Sequence, residues 1–419
     1  MVIFHIDVNN AYLSWEAVYR LKELNETLDL RDIPSVVGGS EKNRHGIVLA
    51  KSMPAKAYGI KTAETLAEAR KKCPDVQIVP PRHHLYKIFS RELICYLKSL
   101  TPVVEQYSID EAFADMTGCP LLADHSPVES AELVREEIFR RFGYTVNIGV
   151  STNKLLAKMA SDFEKPNKVH SLFPEEIKEK MWCLPVRDLF FVGGASARKL
   201  YNLGIRTIGE LACSDKDILR SHMGKHGELI HDYANGIDHS PVLSEQAENK
   251  GYGNSTTLPK DITDSSEAKK ILLKLCESVG SRLRADDFMA QVVAVSVKDN
   301  EFHHGSHQCT MLSATNVTSE LYHYVCQLFD EYWDGAPIRQ LGVSTSKLTK
   351  ETARQLNLMD NDFYMNNSTA GSHLPNIHTP HPPVPNDDFY ERQGKMEKAV
   401  DEIRKKFGDD AIFRASSLE

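Results

Sequence analysis

Long apolar runs are missing from this chain of 419 residues. The N-terminal stretch Val2-Ile3-Phe4-His5-Ile6 stops at Asp7, far short of a bilayer span. The same terminus has no basic flank, apolar middle and small-residue cleavage site, so neither secretion nor membrane association is expected, and the expected location is cytoplasmic. Eight cysteines, at positions 73, 95, 119, 183, 213, 276, 309 and 326, include no CxxC pair. That fits reduced, structural thiols in a cytosolic protein. Excess basic charge is missing too. Lys and Arg number 50 against 58 Asp and Glu, a net charge of −8, so the global signature of a nucleic-acid binder is not there. Because screening acts over about 10 Å, local basic patches remain compatible with that total. A hydrophobic content of 41% and a charged content of 26% describe an ordinary globular protein, long enough for several domains.

What the chain does have is carboxylates at the ends of strands. Tyr107 to Met116 reads Tyr-Ser-Ile-Asp-Glu-Ala-Phe-Ala-Asp-Met, with Val103, Val104, Ile109 and Phe113 as apolar residues around it. This predicts a buried hairpin with Asp110 and Glu111 at its turn. Neighbouring carboxylates in such a place are costly unless a cation neutralises them or water reaches them. Asp7 closes a second apolar run. Three acids offering only oxygen suit Mg²⁺ better than zinc. In a two-metal site such acids hold the cations that activate an attacking oxygen and stabilise a leaving one. An Asp-Glu pair by itself is more often solvated surface.

Periodicity supplies the coarse organisation. Leu13, Ala17, Leu21 and Leu24 predict a helix, followed by strands at Ser35-Val36-Val37 and Ile47-Val48-Leu49. A helix at 64–73, a strand at Val76 to Val79 and a helix from Tyr86 to Leu100 come next, with His83 and His84 read as exposed loop. After the hairpin, a helix at 128–142 and a strand at 145–150 complete a ferredoxin-like strand–helix–hairpin–helix–strand order. Many functions share that fold, so the acids must carry the claim. A helix begins near Asn153-Lys154 and ends at Ser161. Val192-Gly193-Gly194 is read as joining two helical stretches, with Arg198 and Lys199 just beyond. Glycine permits close backbone approach, and helix-start N–H groups can grip phosphate.

A break near 245–252 opens a further region with helices at 268–284 and 317–333 and strands at 293–297 and 338–344. Its charges nearly balance. Phosphate contacts would then come from one strand face, with Arg339 and Lys347 as candidates. His303, His304, His307 and Cys309 fit no closed tetrahedral zinc site and are read as loop. Residues 360–390 read as a linker. Met396, Val400, Ile403 and Phe407 then predict a last helix, stopped by Gly408, whose apolar stripe packs on the protein.

Ser108-Ile109-Asp110-Glu111 and Asp7-Val8-Asn9-Asn10-Ala11-Tyr12-Leu13-Ser14-Trp15-Glu16 resemble the central and opening motifs of the translesion (Y-family) DNA polymerases. The opening motif is closest to the bacterial polymerase V branch, and the chain as a whole is polymerase IV/V-like over about residues 1–359. The resemblance implies an α+β, multidomain right-hand polymerase. Its parts would be a ferredoxin-like palm (1–12 and 75–166), small fingers (13–74) and a helical thumb with a helix-hairpin-helix (167–244). An α/β little finger (250–350) and a tail with clamp-binding motif, linker and C-terminal helix (351–419) would follow.

The resemblance further implies two Mg²⁺ ions on Asp7, Asp110 and Glu111, with the Val8 carbonyl as another ligand. Asp7 and Asp110 would bridge both ions, and Glu111 would support the one at the primer end. Tyr12 falls at the steric gate that excludes a ribose 2′-hydroxyl, and Lys56 and Lys165 fall on the incoming triphosphate. Two positions depart from the pattern. Lys56 stands where Arg is usual and loses the bidentate fork, and Met53 stands where Tyr is usual and cannot donate to phosphate. Gln355, Leu356, Leu358 and Met359 resemble the peptide that docks bacterial polymerases on the sliding clamp, with Met359 where Phe is common.

The expected protein is therefore a monomeric, error-prone, template-directed DNA polymerase acting in damage tolerance. Its partners would be primer-template DNA, dNTPs and the clamp. A nucleotide cyclase is one alternative, but it needs neither the glycine hairpin nor the region after 250. A non-catalytic DNA-binding relative is the other, and retention of all three acids argues against it.

Overall fold

All six residues of β1 (Ile3–Val8) are buried, because both faces of this central strand are covered by apolar packing. The computed structural model describes residues 1–39, 46–245, 248–350, 387–408 and 411–412. Contacts divide the chain into two compact units, one up to residue 247 and one from Glu248 onward. The first contains β1, β2 (Ser35–Gly38), β3 (Val48–Lys51), β4 (Gln77–Val79), β5 (Val104–Gln106), β6 (Glu111–Asp115), β7 (Val146–Ser151) and β8 (Val169–Ser171). One sheet runs β5-β6-β1-β7-β8 and a smaller one runs β3-β2-β4.

Strand alternation decides what each face of β1 does. Phe4, Ile6 and Val8 enter a core with Tyr86, Leu93 and Leu97 of helix His83–Leu100 and Val134 and Ile138 of helix Pro127–Phe142. Each such side chain contributes about 1.5–3 kcal/mol by leaving water. Ile3 instead packs with Phe113 and Ala157, on the side where helix Lys154–Ser161 lies. That helix sits hard against β7. A Cβ on Gly149 would stand 1.9 Å from the Ala157 carbonyl oxygen, so only glycine allows the approach.

Helix Ala11–Glu23 is buried nearly all round its first half because it serves two cores. Trp15 and Val18 join the larger sheet's core, whereas Leu13 and Ala17 meet Leu30, Val37 and Val79 beside the smaller sheet. Several sequence boundaries shift accordingly. β4 pairs with β2, so the smaller sheet extends beyond the expected limit at 74, and β8 pairs with β7, carrying the larger sheet past 166. His83 and His84 open the helix rather than precede it. The element nearest before Val192 is the 3-10 turn Val186–Asp188 rather than an α-helix, and helix Gly194–Asn202 begins at the second glycine. Short helices from Gly194–Asn202 to Lys225–Ala234 surround a separate core containing Leu200, Ile208, Leu219 and Ile230.

The second unit is a four-stranded antiparallel sheet, β9 (Gly251–Ile262), β10 (Met289–Asp299), β11 (His304–Thr315) and β12 (Ile338–Thr349), in the order β11-β10-β12-β9. Val293 and Val295 of β10 share a core with helices Ser265–Ala285 and Thr318–Tyr332. His304, His307 and Cys309 lie on β11, an edge strand and not a loop, while His303 Nδ1 bonds Asp299 Oδ2 at 2.9 Å. Among the described residues they belong to no group that could hold a metal ion.

The last helix, Asp387–Phe407, exists as expected but packs by the opposite chemistry. Met396, Ile403 and Phe407 of the apolar stripe are exposed, whereas Glu397 is 2% exposed. Its carboxylate accepts from Arg284 Nη1 at 2.8 Å and from the Thr318 backbone N–H at 2.8 Å, and Asp401 takes Arg284 Nε at 2.6 Å. The physical reason is the buried Arg284 guanidinium and the open amide at the start of helix Thr318–Tyr332, both of which need an acceptor away from water. Among the described residues no helix is long and apolar enough to cross a membrane.

Candidate active site

Strand pairing collects residues that the sequence scatters. Asp7 stands directly opposite Glu111 across β1 and β6. The turn before β6 is tied by Ser108, whose Oγ donates to Asp110 Oδ1 at 2.7 Å and accepts from the Glu111 N–H at 3.1 Å. The Val8 N–H donates to the Asp110 carbonyl at 3.0 Å, which fastens that turn to the end of β1. Asp7, Val8, Asp110 and Glu111 therefore meet at one end of the sheet.

Two lysines neutralise them. Lys158, on the helix that Gly149 admits, bonds Glu111 and lies 3.4 Å from Asp162 and 3.9 Å from Asp7. Lys165 bonds Asp7 and reaches Asp162 at 2.8 Å. Burial pushes the Asp7 carboxyl up, and the two lysines offset this only in part. For Lys165 burial opposes the charge, yet Asp7 and Asp162 outweigh it and hold its pKa up at about 12. His5, fully buried beneath the acids, is driven well below its ordinary range by burial and then by Lys158 and Lys165, so it is neutral. Its Nδ1 lies 2.8 Å from Ser161 Oγ, and its Nε2 is 4.0 Å from Glu111.

The loop carrying Lys165 is pinned over Asp7 by a buried amide relay. The Asn167 N–H donates to Asn9 Oδ1 at 2.8 Å, and Asn9 Nδ2 donates to Asn147 Oδ1 at 3.0 Å. Asn147 Nδ2 in turn donates to the Glu164 carbonyl at 2.6 Å.

A cavity of about 380 Å³ opens beside these groups, lined by Asp7, Val8, Tyr12, Lys51, Met53, Lys56, Asp110 and Lys165 among others. Lys56 is exposed on the short helix Met53–Ala57, whose start is capped by Ser52 Oγ. Lys51 is held below its usual range by burial and by the nearby Lys56 charge. The lining thus combines lysine and carboxylate charge. Glu111 is not among the lining residues; it pairs with Lys158. Sequence reasoning did not single out Lys51 or Lys158. Spacing along a strand and a helix gave no signal that either would face the acids.

The donor set of carboxylate and carbonyl oxygen fits a hard divalent cation such as Mg²⁺. Among the described residues no three His, Cys, Asp or Glu side chains already converge as a metal site, and lysine ammonium groups hold the counter-charge.

The other expected contacts lie apart. Gly193 and Gly194 are exposed, and a Cβ on either would meet nothing within 4 Å, so open space adjoins their backbone. Arg198 and Lys199 are exposed on the helix that follows. In the second unit Arg339 lies over the Phe302 ring at 4.6 Å, and Lys347, exposed with a φ of 50°, stands near the far end of β12. Eight residues of strand separate the two by on the order of 26 Å, so they do not form one patch. Gln355, Leu356, Leu358 and Met359 lie outside the described residues.

A family model for the impB/mucB/samB family matches residues 6–162, and one for that family's C-terminal domain matches residues 249–358. The chain belongs to this family of Y-family DNA polymerases. A DNA polymerase IV of Clostridium acetobutylicum is 43% identical over 100% of this chain and 98% of its own length. DNA polymerase IV 2 of Bacillus subtilis is 35% identical over 100% of this chain and 94% of its own. Both bear the polymerase IV name, whereas the opening motif alone leans toward polymerase V. A solved Y-family DNA polymerase chimera aligns with a TM-score of 0.72 at 22% identity, covering 84% of this chain and all of its own, and so supports the right-hand polymerase fold.

Proposed function

We propose that this DNA-directed DNA polymerase performs template-directed, error-prone nucleotidyl transfer in translesion synthesis. The reading has two Mg²⁺ ions held by Asp7, Asp110, Glu111 and the Val8 carbonyl. The observation that carries it is one cavity lined both by Asp7 and Asp110 and by Lys51, Lys56 and Lys165. Bound Mg²⁺ would supply Lewis-acid activation of the α-phosphate and of the attacking 3′-hydroxyl. The chain's own groups do the rest. Lys51, Lys56 and Lys165 attract and orient the triphosphate as point charges. Lys165 exchanges its bond to Asp7 for phosphate oxygen when substrate enters. Lys158 keeps Glu111 in place, neutral His5 adds no competing charge, and the Tyr12 ring on the cavity lining would exclude a ribose 2′-hydroxyl.

The same reading assigns the larger sheet to the palm, the smaller sheet to the fingers, the helices after Gly193 to the thumb and the second unit to the little finger. Gly193 and Gly194, backed by Val192, would offer backbone N–H groups to DNA phosphate, with Arg198 and Lys199 adding charge. Arg339 and Lys347 would touch DNA from separate places. Gln355, Leu356, Leu358 and Met359 would dock a monomer on the sliding clamp in the cytoplasm.

Primer extension with Mg²⁺ on undamaged and abasic templates tests the reading. Extension past the lesion by wild type, with incorrect insertions, supports it. DNA binding without any extension would refute it.

A further inference from the structure

Tyr12 lines the cavity from the first turn of its helix, where a long side chain has several rotamers open to it. Discriminating a single hydroxyl demands that the ring stand in one place to within a fraction of an ångström. The structure shows what holds it. The Tyr86 ring lies against it, nearly parallel at 20°, with centroids 4.6 Å apart. His83 meets its edge at 5.8 Å, and Trp15 stands 6.1 Å from Tyr12 and from Tyr86.

Tyr86 is itself fixed from its far end. It is fully buried, and its hydroxyl donates to Glu16 Oε2 at 3.3 Å. Glu16 is also fully buried, and its Oε1 accepts from Arg20 Nε at 2.8 Å and lies 3.5 Å from Arg82 Nε. Burying a carboxylate with two guanidinium groups is a poor way to stabilise a core, since apolar residues of similar volume often do as well or better. Phe at 86 and an apolar residue at 16 would fill the same space. What the polar pair adds is an anchor for the far end of the Tyr86 ring, because the hydroxyl must stay beside Glu16.

We propose that Tyr86 and Glu16 form a buried mount that positions the Tyr12 ring, and that they are specificity-determining positioning residues for sugar selection. Neither lines the cavity, so both act through Tyr12. The inference rests on the reading of Tyr12 as the gate.

Single-nucleotide incorporation tests it through the ratio of kcat/KM for a dNTP to that for the matching rNTP. Wild type, Tyr86→Leu, Tyr86→Phe and Glu16→Gln are compared, each also in a Tyr12→Ala background, with thermal unfolding as the check on folding. Tyr86→Leu removes the stacked partner and lowers the ratio about 3- to 10-fold, the scale of one aromatic pair. Tyr86→Phe and Glu16→Gln keep the ring and loosen its anchor, giving a loss of about 2-fold. In the Tyr12→Ala background none of the three changes the ratio further.

Folded variants with an unchanged ratio would overturn the mount, as would an equal loss with and without Tyr12. If Tyr86→Leu fails to fold, an unchanged ratio in both Tyr86→Phe and Glu16→Gln overturns it. A Tyr12→Ala effect with silent Tyr86 and Glu16 variants refutes the mount alone. A silent Tyr12→Ala refutes the gate reading and the mount with it.

Discussion

Gly149→Ala should be among the most damaging single-methyl changes in this protein. Its Cβ would stand 1.9 Å from the Ala157 carbonyl oxygen and 2.5 Å from the Ser161 backbone nitrogen. Both are helix backbone atoms, so no side chain can turn aside. An ordinary carbon–oxygen contact needs about 3.3 Å, so helix Lys154–Ser161 would have to lift from β7 by more than 1 Å, on the order of the gap that forfeits half of a van der Waals well. Overpacking of this kind costs about 3 kcal/mol. For a unit of this size that lowers Tm by about 6–12 °C.

The same lift carries Lys158 away from Glu111, so activity should fall further than stability alone explains. Gly193→Ala is the matched control. Its Cβ would meet nothing within 4 Å and its φ is −76°, so Tm should change by less than about 2 °C. Differential scanning fluorimetry with single-nucleotide incorporation reads both effects. A Gly149→Ala Tm within about 2 °C of wild type would refute the packing argument.

Lys165→Ala should raise the KM for dNTP about 10-fold or more, since it removes a charge-assisted phosphate contact, and steady-state incorporation measures it. Lys51→Ala should act in the same direction, and an unchanged KM would take Lys51 out of the triphosphate site. Glu397→Ala leaves the buried Arg284 with one carboxylate fewer and the Thr318 amide without its acceptor, a loss of about 3 kcal/mol. Limited proteolysis should then clip the C-terminal helix faster than in wild type, and equal rates would contradict the docking described. Replacing Gln355 and Leu356 together by Ala should abolish stimulation by the sliding clamp without slowing synthesis on short templates.

Some of this was legible in the sequence for a definite reason. Asp110 and Glu111 are adjacent and Asp7 ends an apolar run, so local pattern sufficed to put each at a strand end. Their meeting is a matter of register, which no local pattern reports. Lys158 lies between Ala157 and Met159 in a helix whose residues are nearly all buried, and only the β6–β1–β7 pairing brings its ammonium to Glu111. Lys51 ends a four-residue strand and looks like any surface lysine until Lys56 is seen beside it. β9 and β11 were missed because much of each strand is exposed and polar, so the alternation that betrayed β10 is not present.

The C-terminal helix shows the converse. Its apolar spacing correctly gave a helix, but the donors that need Glu397 and Asp401, the Arg284 guanidinium and the Thr318 amide, lie far earlier in the chain and chose the charged face for burial. Glu16 belongs to the same class. In sequence it is one more acid in an amphipathic helix, and only the fold shows it bonded to Tyr86.

The most direct test of the account is single-turnover incorporation of a correct dNTP on undamaged primer-template, titrated with Mg²⁺, for wild type and Asp110→Ala. The account predicts saturable dependence on Mg²⁺ in wild type, loss of activity with a chelator, and a rate about 100-fold lower or worse in Asp110→Ala with primer-template binding retained. Incorporation by Asp110→Ala at the wild-type rate would contradict it.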